Sequence, residues 1–246
     1  MTRNRVGSIG IAALACISGC AGMMSLGGNA YKGDLTEVRI KVEQQHANVN
    51  RREHAGLSPL MGAAAGGHPD VVQYLLAHGA EVNVTNDQWQ TPLMLAAMAG
   101  NLECVTLLLN AGAKVDAKAR GGATVLGFAV TTGHLDIIQL LVQHGVDINQ
   151  KGSEGSNCLA WVEDKHADLV PELVKLGANP SQGNDTGETP LIVCAYASRP
   201  LVAKALLAAG ADFHAKDLRG ETALVYARRN KKKDVAKVLE AAGATE

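Results

Sequence analysis

A five-residue signature returns along this chain at almost constant spacing, and no other feature restricts the fold as strongly. Gly56-Leu57-Ser58-Pro59-Leu60 is followed by Trp89-Gln90-Thr91-Pro92-Leu93 and Gly122-Ala123-Thr124-Val125-Leu126. Gly155-Ser156-Asn157-Cys158-Leu159, Gly187-Glu188-Thr189-Pro190-Leu191 and Gly220-Glu221-Thr222-Ala223-Leu224 complete the series, at steps of 33, 33, 33, 32 and 33 residues. A second series keeps the same period: Gly79-Ala80, Gly112-Ala113, Gly145-Val146, Gly177-Ala178, Gly210-Ala211 and Gly243-Ala244. Two registers with one period mean stacked copies of one small unit. A single copy cannot bury its own apolar face, so the core must form between neighbours.

Each slot has a physical reading. Thr91 and Thr189 suit helix caps, and Pro92 and Pro190 suit a first helical turn, where no N–H is needed. Ala63-Ala64 and Ala96-Ala97 lack bulk, so neighbouring helices can approach closely. Val71, Leu75 and Leu76, like Ile137, Leu140 and Leu141, form an apolar stripe on a second helix. Gly79, Gly112 and Gly145 suit left-handed stops. Asn83, Asp116 and Asn149 begin a projecting turn toward the next copy. The composition agrees: aromatics are only 3% of residues against 47% hydrophobic overall. Such a core must be filled by closely packed Ala, Leu and Val, which favours thin helical layers.

The pattern resembles the ankyrin repeat, with its Gly-x-Thr-Pro-Leu, Ala-Ala, Leu-Leu and Gly-Ala slots, over about residues 30–246. The resemblance implies an all-α solenoid of helix-turn-helix units joined by β-hairpin-like fingers, about six to seven repeats counting caps. Gly33-Asp34-Leu35 through Asn48-Val49-Asn50 reads as a divergent, polar N-terminal cap. The unit at 155–186 is one residue short and lacks the Thr-Pro pair, so it is expected to be the least regular layer. The last unit, with Arg228, Arg229, Lys231, Lys232, Lys233 and Lys237, reads as a solvated C-terminal cap.

The first residues read as an address. Arg3 and Arg5 precede an uncharged stretch from Val6 to Ser18, the length of a secretory core and too short to span a bilayer. It ends in Ile17-Ser18-Gly19-Cys20, which resembles the lipobox of bacterial lipoproteins. The resemblance implies a signal peptide at 1–19, acylation of Cys20, and a flexible tether through residue 29. With Ala21 rather than Asp after the Cys, it further implies export to the outer membrane, facing the periplasm.

No chemistry-bearing motif accompanies the repeats. Five of the eight histidines fall at two repeat slots: His68, His134 and His166 between paired helices, His78 and His144 before the Gly stops. Cys104, Cys158 and Cys194 are odd in number, fall in expected helices and lack metal-ligand spacing, so they read as small buried hydrophobes. Neither a phosphate-binding loop nor a nucleophile elbow is present. The expectation is no enzyme, no cofactor and no metal. A formal net charge of −1, from 23 basic and 24 acidic residues, argues against nucleic acid.

What remains is recognition by projecting turns and first helices, with a monomer expected. The family's variable slots map onto Asp87, Gln88, Trp89, Gln90 and Met98, then Arg120, then Lys151 and Glu154, then Asp185 and Tyr196, and finally Leu218 and Arg219. Charges of both signs favour a protein partner. Trp89 stands out, an indole where the other copies carry Gly, whereas Trp161 is expected inside a helix, as core. Bacterial lipoproteins built of such repeats resemble immunity proteins that block secreted toxins, such as lipase effectors, which is the narrower alternative to a general binding scaffold.

Overall fold

The computed structural model describes residues 25–245, and these divide into two compact units, one ending at His144 and one starting at Gly145. The acylation expected at Cys20 therefore lies outside the described residues.

Among the described residues the first unit contains four pairs of helices. They are α1 (Leu26–Lys32) with α2 (Leu35–Arg39), α3 (Pro59–Gly66) with α4 (Pro69–Ala77), α5 (Pro92–Ala99) with α6 (Leu102–Asn110), and α7 (Val125–Thr132) with α8 (Leu135–Gln143). The first helix of a pair starts where a hydroxyl accepts an orphan N–H three residues on. Ser58 caps Met61 N at 3.3 Å, Thr91 caps Met94 N at 3.3 Å, and Thr124 caps Gly127 N at 3.2 Å. Each such helix stops at a left-handed glycine: Gly67, Gly100 or Gly133. The core follows the slots, with Ala63, Ala64, Ala96, Ala97, Val71, Leu75, Ile137 and Leu141 fully buried. Leu76 and Leu140 lie at its margin, half-buried.

Within the stretch expected as a tether through residue 29, the described residues are helical from Leu26. Residues 26–29 belong to α1, and Leu26, Asn29 and Ala30 are buried. The cause is a close backbone crossing with α3: a Cβ added at Gly62 would stand 2.7 Å from the Gly27 carbonyl oxygen. The glycines that read as flexibility serve contact instead. The carboxylate of Glu53 holds this helix in place, accepting from Ser25 Oγ at 2.8 Å and Gly27 N at 3.0 Å.

The second unit contains α9 (Leu169–Lys175), the pair α10 (Pro190–Ala197) and α11 (Pro200–Ala208), and the pair α12 (Ala223–Arg229) and α13 (Lys233–Ala241). Its first copy is the irregular one. In place of an inner helix it has two 3₁₀ turns, Cys158–Trp161 and Asp164–His166. Asn157 stands at the cap slot but spends its amide on Asn179 O at 2.8 Å. Its side-chain oxygen is buried without a hydrogen-bond partner. Trp161 consequently sits at the end of a short turn and is half-buried, not core. Asp164 caps a neighbouring helix, accepting Leu201 N at 2.9 Å and Val202 N at 3.0 Å at the start of α11.

Neighbouring copies are joined by repeated side-chain clasps. In the first unit Asn50 donates to Gly79 O at 2.9 Å and accepts Glu81 N at 2.8 Å. One copy on, Asn83 donates to Gly112 O at 3.1 Å and accepts Lys114 N at 2.8 Å. In the second unit Asn149 makes the same pair with Gly177 O and Asn179 N. These asparagines start the projecting turn, as their slot suggested, and also bind the next helix stop. A second clasp runs backward from the slot between paired helices. His68 Nε2 donates to Tyr31 O at 2.9 Å, Asn101 Nδ2 to Gly67 O at 3.0 Å, and Arg199 Nη1 to Ala160 O and Val162 O at 2.9 and 3.0 Å. Among the described residues no helix is long and apolar enough to cross a membrane.

Candidate partner-binding surface

The fingers expected between copies reduce to tight turns. Each is closed by one backbone bond across four residues, such as Asn86 N to Gln90 O at 3.1 Å, Ala119 N to Ala123 O at 2.8 Å and Asn184 N to Glu188 O at 3.0 Å. Among the described residues one isolated antiparallel bridge, Lys118 with Thr124, is the whole of the β-structure. Three of the turns are organised by an Asn or Asp side chain. Asn86 Oδ1 accepts Gln88 N and Gln90 N, both at 2.9 Å. Asn184 does the same with Thr186 N and Glu188 N, and Asp217 with Arg219 N and Glu221 N. Successive tips within a unit are tied by single backbone bonds. Asp87 N donates to Ala55 O and Arg120 N to Gln88 O in the first unit; Asp185 N donates to Glu154 O and Leu218 N to Thr186 O in the second.

In the first unit this arrangement presents Trp89 outward. The residue is 57% exposed, and its backbone is left-handed at φ +59°. The guanidinium of Arg120 lies over the ring, 5.8 Å from its centroid. Asp87 is exposed and stands 4.0 Å from the Arg52 guanidinium, which also donates to Thr85 O at 2.6 Å. Asp87, Gln88, Trp89 and Arg120 are thus brought together at adjoining tips. Arg52 joins them, although the slot pattern did not point to it.

Gln90 and Met98 are corrections. Gln90 is fully buried, with Asn86 Nδ2 donating to its Oε1 at 2.9 Å, so it builds the turn. Met98 is only 8% exposed. The slot rule places the backbone correctly, but both side chains point into the protein. Asn86, four residues before Gln90, was the available signal, because Asn184 and Glu188 repeat the arrangement.

In the second unit Lys151, Glu154 and Asp185 meet at one place. Lys151 Nζ is 3.0 Å from Asp185 Oδ1, with both side chains more than half exposed, so the pair contributes little to stability. Tyr196 is half-buried and its ring centroid lies 6.0 Å from that of Tyr226. Tyr226 donates to Asp217 Oδ2 at 2.7 Å and lies under the Arg229 guanidinium, which also pairs with Glu221. Burial pushes the Asp217 carboxyl up, but the bonds from Tyr226, Glu221 N and Arg219 N together outweigh it and leave it lowered. Tyr226 is raised by its burial and by that carboxylate. Arg219 is exposed and joins this cluster through its backbone N–H to Asp217, and beside it Leu218 is 80% exposed.

Cys104, Cys158 and Cys194 are buried, and burial pushes each thiol up to about 12. Cys104 and Cys194 lie on helices, as expected, but Cys158 lies on a 3₁₀ turn. Among the described residues no three metal-ligating side chains converge.

Comparison with known proteins agrees with this architecture. A family model described as ankyrin repeats (3 copies) matches residues 29–119, 60–152 and 158–245. The crystal structure of the human ASB11 ankyrin repeat domain superposes with a TM-score of 0.78 at 29% identity, covering 90% of this chain and 98% of that one. The ankyrin repeat domain of Bcl-3 gives 0.70 at 25% identity, over 87% and 97%. Human protein phosphatase 1 regulatory subunit 27 is 34% identical over 67 residues, 27% of this chain and 43% of that protein. The chain therefore spans less than half the length of that relative. On the repeated helix pairs, their caps and stops, and these matches, the chain belongs to the ankyrin-repeat family.

Proposed function

We propose that the chain is a non-catalytic module that binds a protein partner through its tip turns, anchored by acylated Cys20 in the outer membrane and facing the periplasm. The observation that carries the binding reading is Trp89. A large apolar ring stands mostly in water at a slot filled elsewhere by glycine, on backbone that disfavours any side chain. Trp is over-represented among residues that dominate interface energies. The mixed charges of Asp87, Arg120, Lys151, Glu154, Asp185 and Arg219 suit a protein better than a polyanion.

The test is capture of the partner from membranes with the tagged mature protein, followed by titration. Trp89→Ala is expected to weaken binding by ~2 kcal/mol, roughly 30-fold, with folding intact. Equal affinities would assign Trp89 to packing alone. The anchor is tested separately, since Cys20→Ala should release the protein from the outer-membrane fraction. Toxin immunity is the narrower form of this reading, favoured by the export expected from Ile17-Ser18-Gly19-Cys20. It requires that the captured partner be a toxin which the purified protein inhibits.

A further inference from the structure

The C-terminal edge of the second unit carries charge of one sign with little counter-charge. Lys231, Lys232 and Lys233 follow one another through the turn from α12 into α13, and Lys237 lies one helical turn beyond Lys233. Lys204 occupies on α11 the slot that Lys237 occupies on α13, each 15 residues after its capping threonine, Thr189 or Thr222. Helices α11 and α13 pack against each other. All of these lysines are exposed except Lys232, which is half-buried. Among the described residues none of them forms an ion pair, whereas Arg228 is held by Glu240 and Arg229 by Glu221. Asp234 is the one carboxylate in the run from Lys231 to Lys237.

Folding accounts for only part of the arrangement. Lys231 and Lys232 follow the last turn of α12, where a cation complements the helix dipole. Lys233 stands at the opposite, N-terminal end of α13, where a cation is unfavourable, and Lys204 and Lys237 project from exposed helix faces. Leu201, one turn before Lys204 on the same helix, is 57% exposed.

We propose that this corner docks onto an anionic lipid bilayer. Lysines are flexible point charges, suited to mobile headgroup phosphates. The planar guanidiniums that would read a fixed phosphate in bidentate fashion are already engaged by carboxylates. Leu201 supplies an apolar side chain at the level where headgroups meet acyl chains. The docking goes beyond the partner-binding reading and does not depend on acylation of Cys20.

The experiment uses the full chain carrying Cys20→Ala, so that no acyl anchor can form and failure of the anchor is a separate result. Partition is measured onto vesicles of phosphatidylcholine alone and of phosphatidylcholine with about 30% phosphatidylglycerol, at low and high salt. The expected result is preference for the anionic vesicles that salt abolishes. Lys204→Gln/Lys233→Gln/Lys237→Gln should reduce the anionic partition about fivefold per lysine, on the order of a hundredfold in all. The double variant Lys204→Gln/Lys237→Gln should give about 25-fold and serves if the triple variant folds poorly. A control of equal charge in the first unit, Lys32→Gln/Lys41→Gln/Lys114→Gln, should change it little. Equal partition of the triple variant and this control overturns the proposal, as does absence of anionic preference. Binding to heparin without binding to vesicles also overturns it, in favour of a soluble polyanion.

Discussion

Replacing Trp89 separates the cost of its backbone from the value of its ring. The equivalent tip residues are Gly56, Gly122, Gly155, Gly187 and Gly220, with φ between +71° and +85°. Trp89 adopts φ +59° with a Cβ present. Left-handed backbone costs an L-residue roughly 1–2 kcal/mol. Trp89→Ala keeps that cost and Trp89→Gly removes it, while both lose the same indole and the same contact with Arg120. Glycine's greater freedom in the unfolded chain returns roughly 0.5–1 kcal/mol of the gain. The Gly variant should therefore be more stable than the Ala variant by about 1 kcal/mol. In urea, with an m-value of about 2 kcal/mol/M, that separates their midpoints by about 0.5 M. Both should lose partner affinity alike. Coincident midpoints would refute the claim that this backbone is strained, and a Gly variant that binds more weakly than Ala would show that the strain itself shapes the site.

Three further outcomes follow from the geometry. Asn83→Ala deletes two bonds to the next copy; since the residue is exposed and water can replace them in part, the expected cost is about 1–2 kcal/mol, and Asn83→Asp, which keeps the acceptor for Lys114 N, should cost less. Identical urea midpoints for Asn83→Ala and wild type would remove the clasp from the stability argument. The three buried thiols should resist a thiol reagent at neutral pH and react only as the protein unfolds, so rapid labelling of Cys104, Cys158 or Cys194 under native conditions would contradict their raised values of about 12. Asp217 is lowered in the folded state, so the stability it contributes is present above the ordinary carboxylate range and is lost as pH falls through its folded value. Tyr226→Phe should accordingly cost about 1.5–3 kcal/mol at pH 7 and less in acid, and a deficit that grows on acidification would reverse that sign.

The helix pairs were legible because their determinants are local and repeated. Thr91 and Thr189 cap the residues their spacing indicates, and Gly100 and Gly112 turn left-handed where the pattern breaks. Legibility failed where a residue answers to something beyond its own copy. Gly27 reads as tether until the α3 backbone lies against it. Asp164 has no capping role within its own copy and gains one only where the amides of Leu201 and Val202 meet it. For the binding surface, spacing located the tips but not side-chain direction. It therefore placed Trp89, Asp87 and Arg120 on the exposed surface and misassigned Gln90, whose amide is clasped inward by Asn86. Arg52 escaped because it lies in the first tip turn, outside the slots considered.

The backward clasp has an evolutionary consequence. His68, Asn101 and Arg199 are unlike in size, shape and charge, yet each reaches the last carbonyls of the preceding inner segment. The acceptor in each case is main chain, which mutation cannot remove; at His68 and Arg199 the demand on the side chain is a nitrogen-borne hydrogen at the right reach, whereas Asn101 Oδ1 also accepts Cys104 N at 2.8 Å as the cap of α6. A position governed by such a one-sided demand can drift among chemically distant residues without a compensating change elsewhere. A randomised library at His68, whose side chain caps no helix, selected only for folding, should return nitrogen donors of several kinds. Substitution matrices that score Asn, His and Arg as dissimilar would then understate how closely these copies are related.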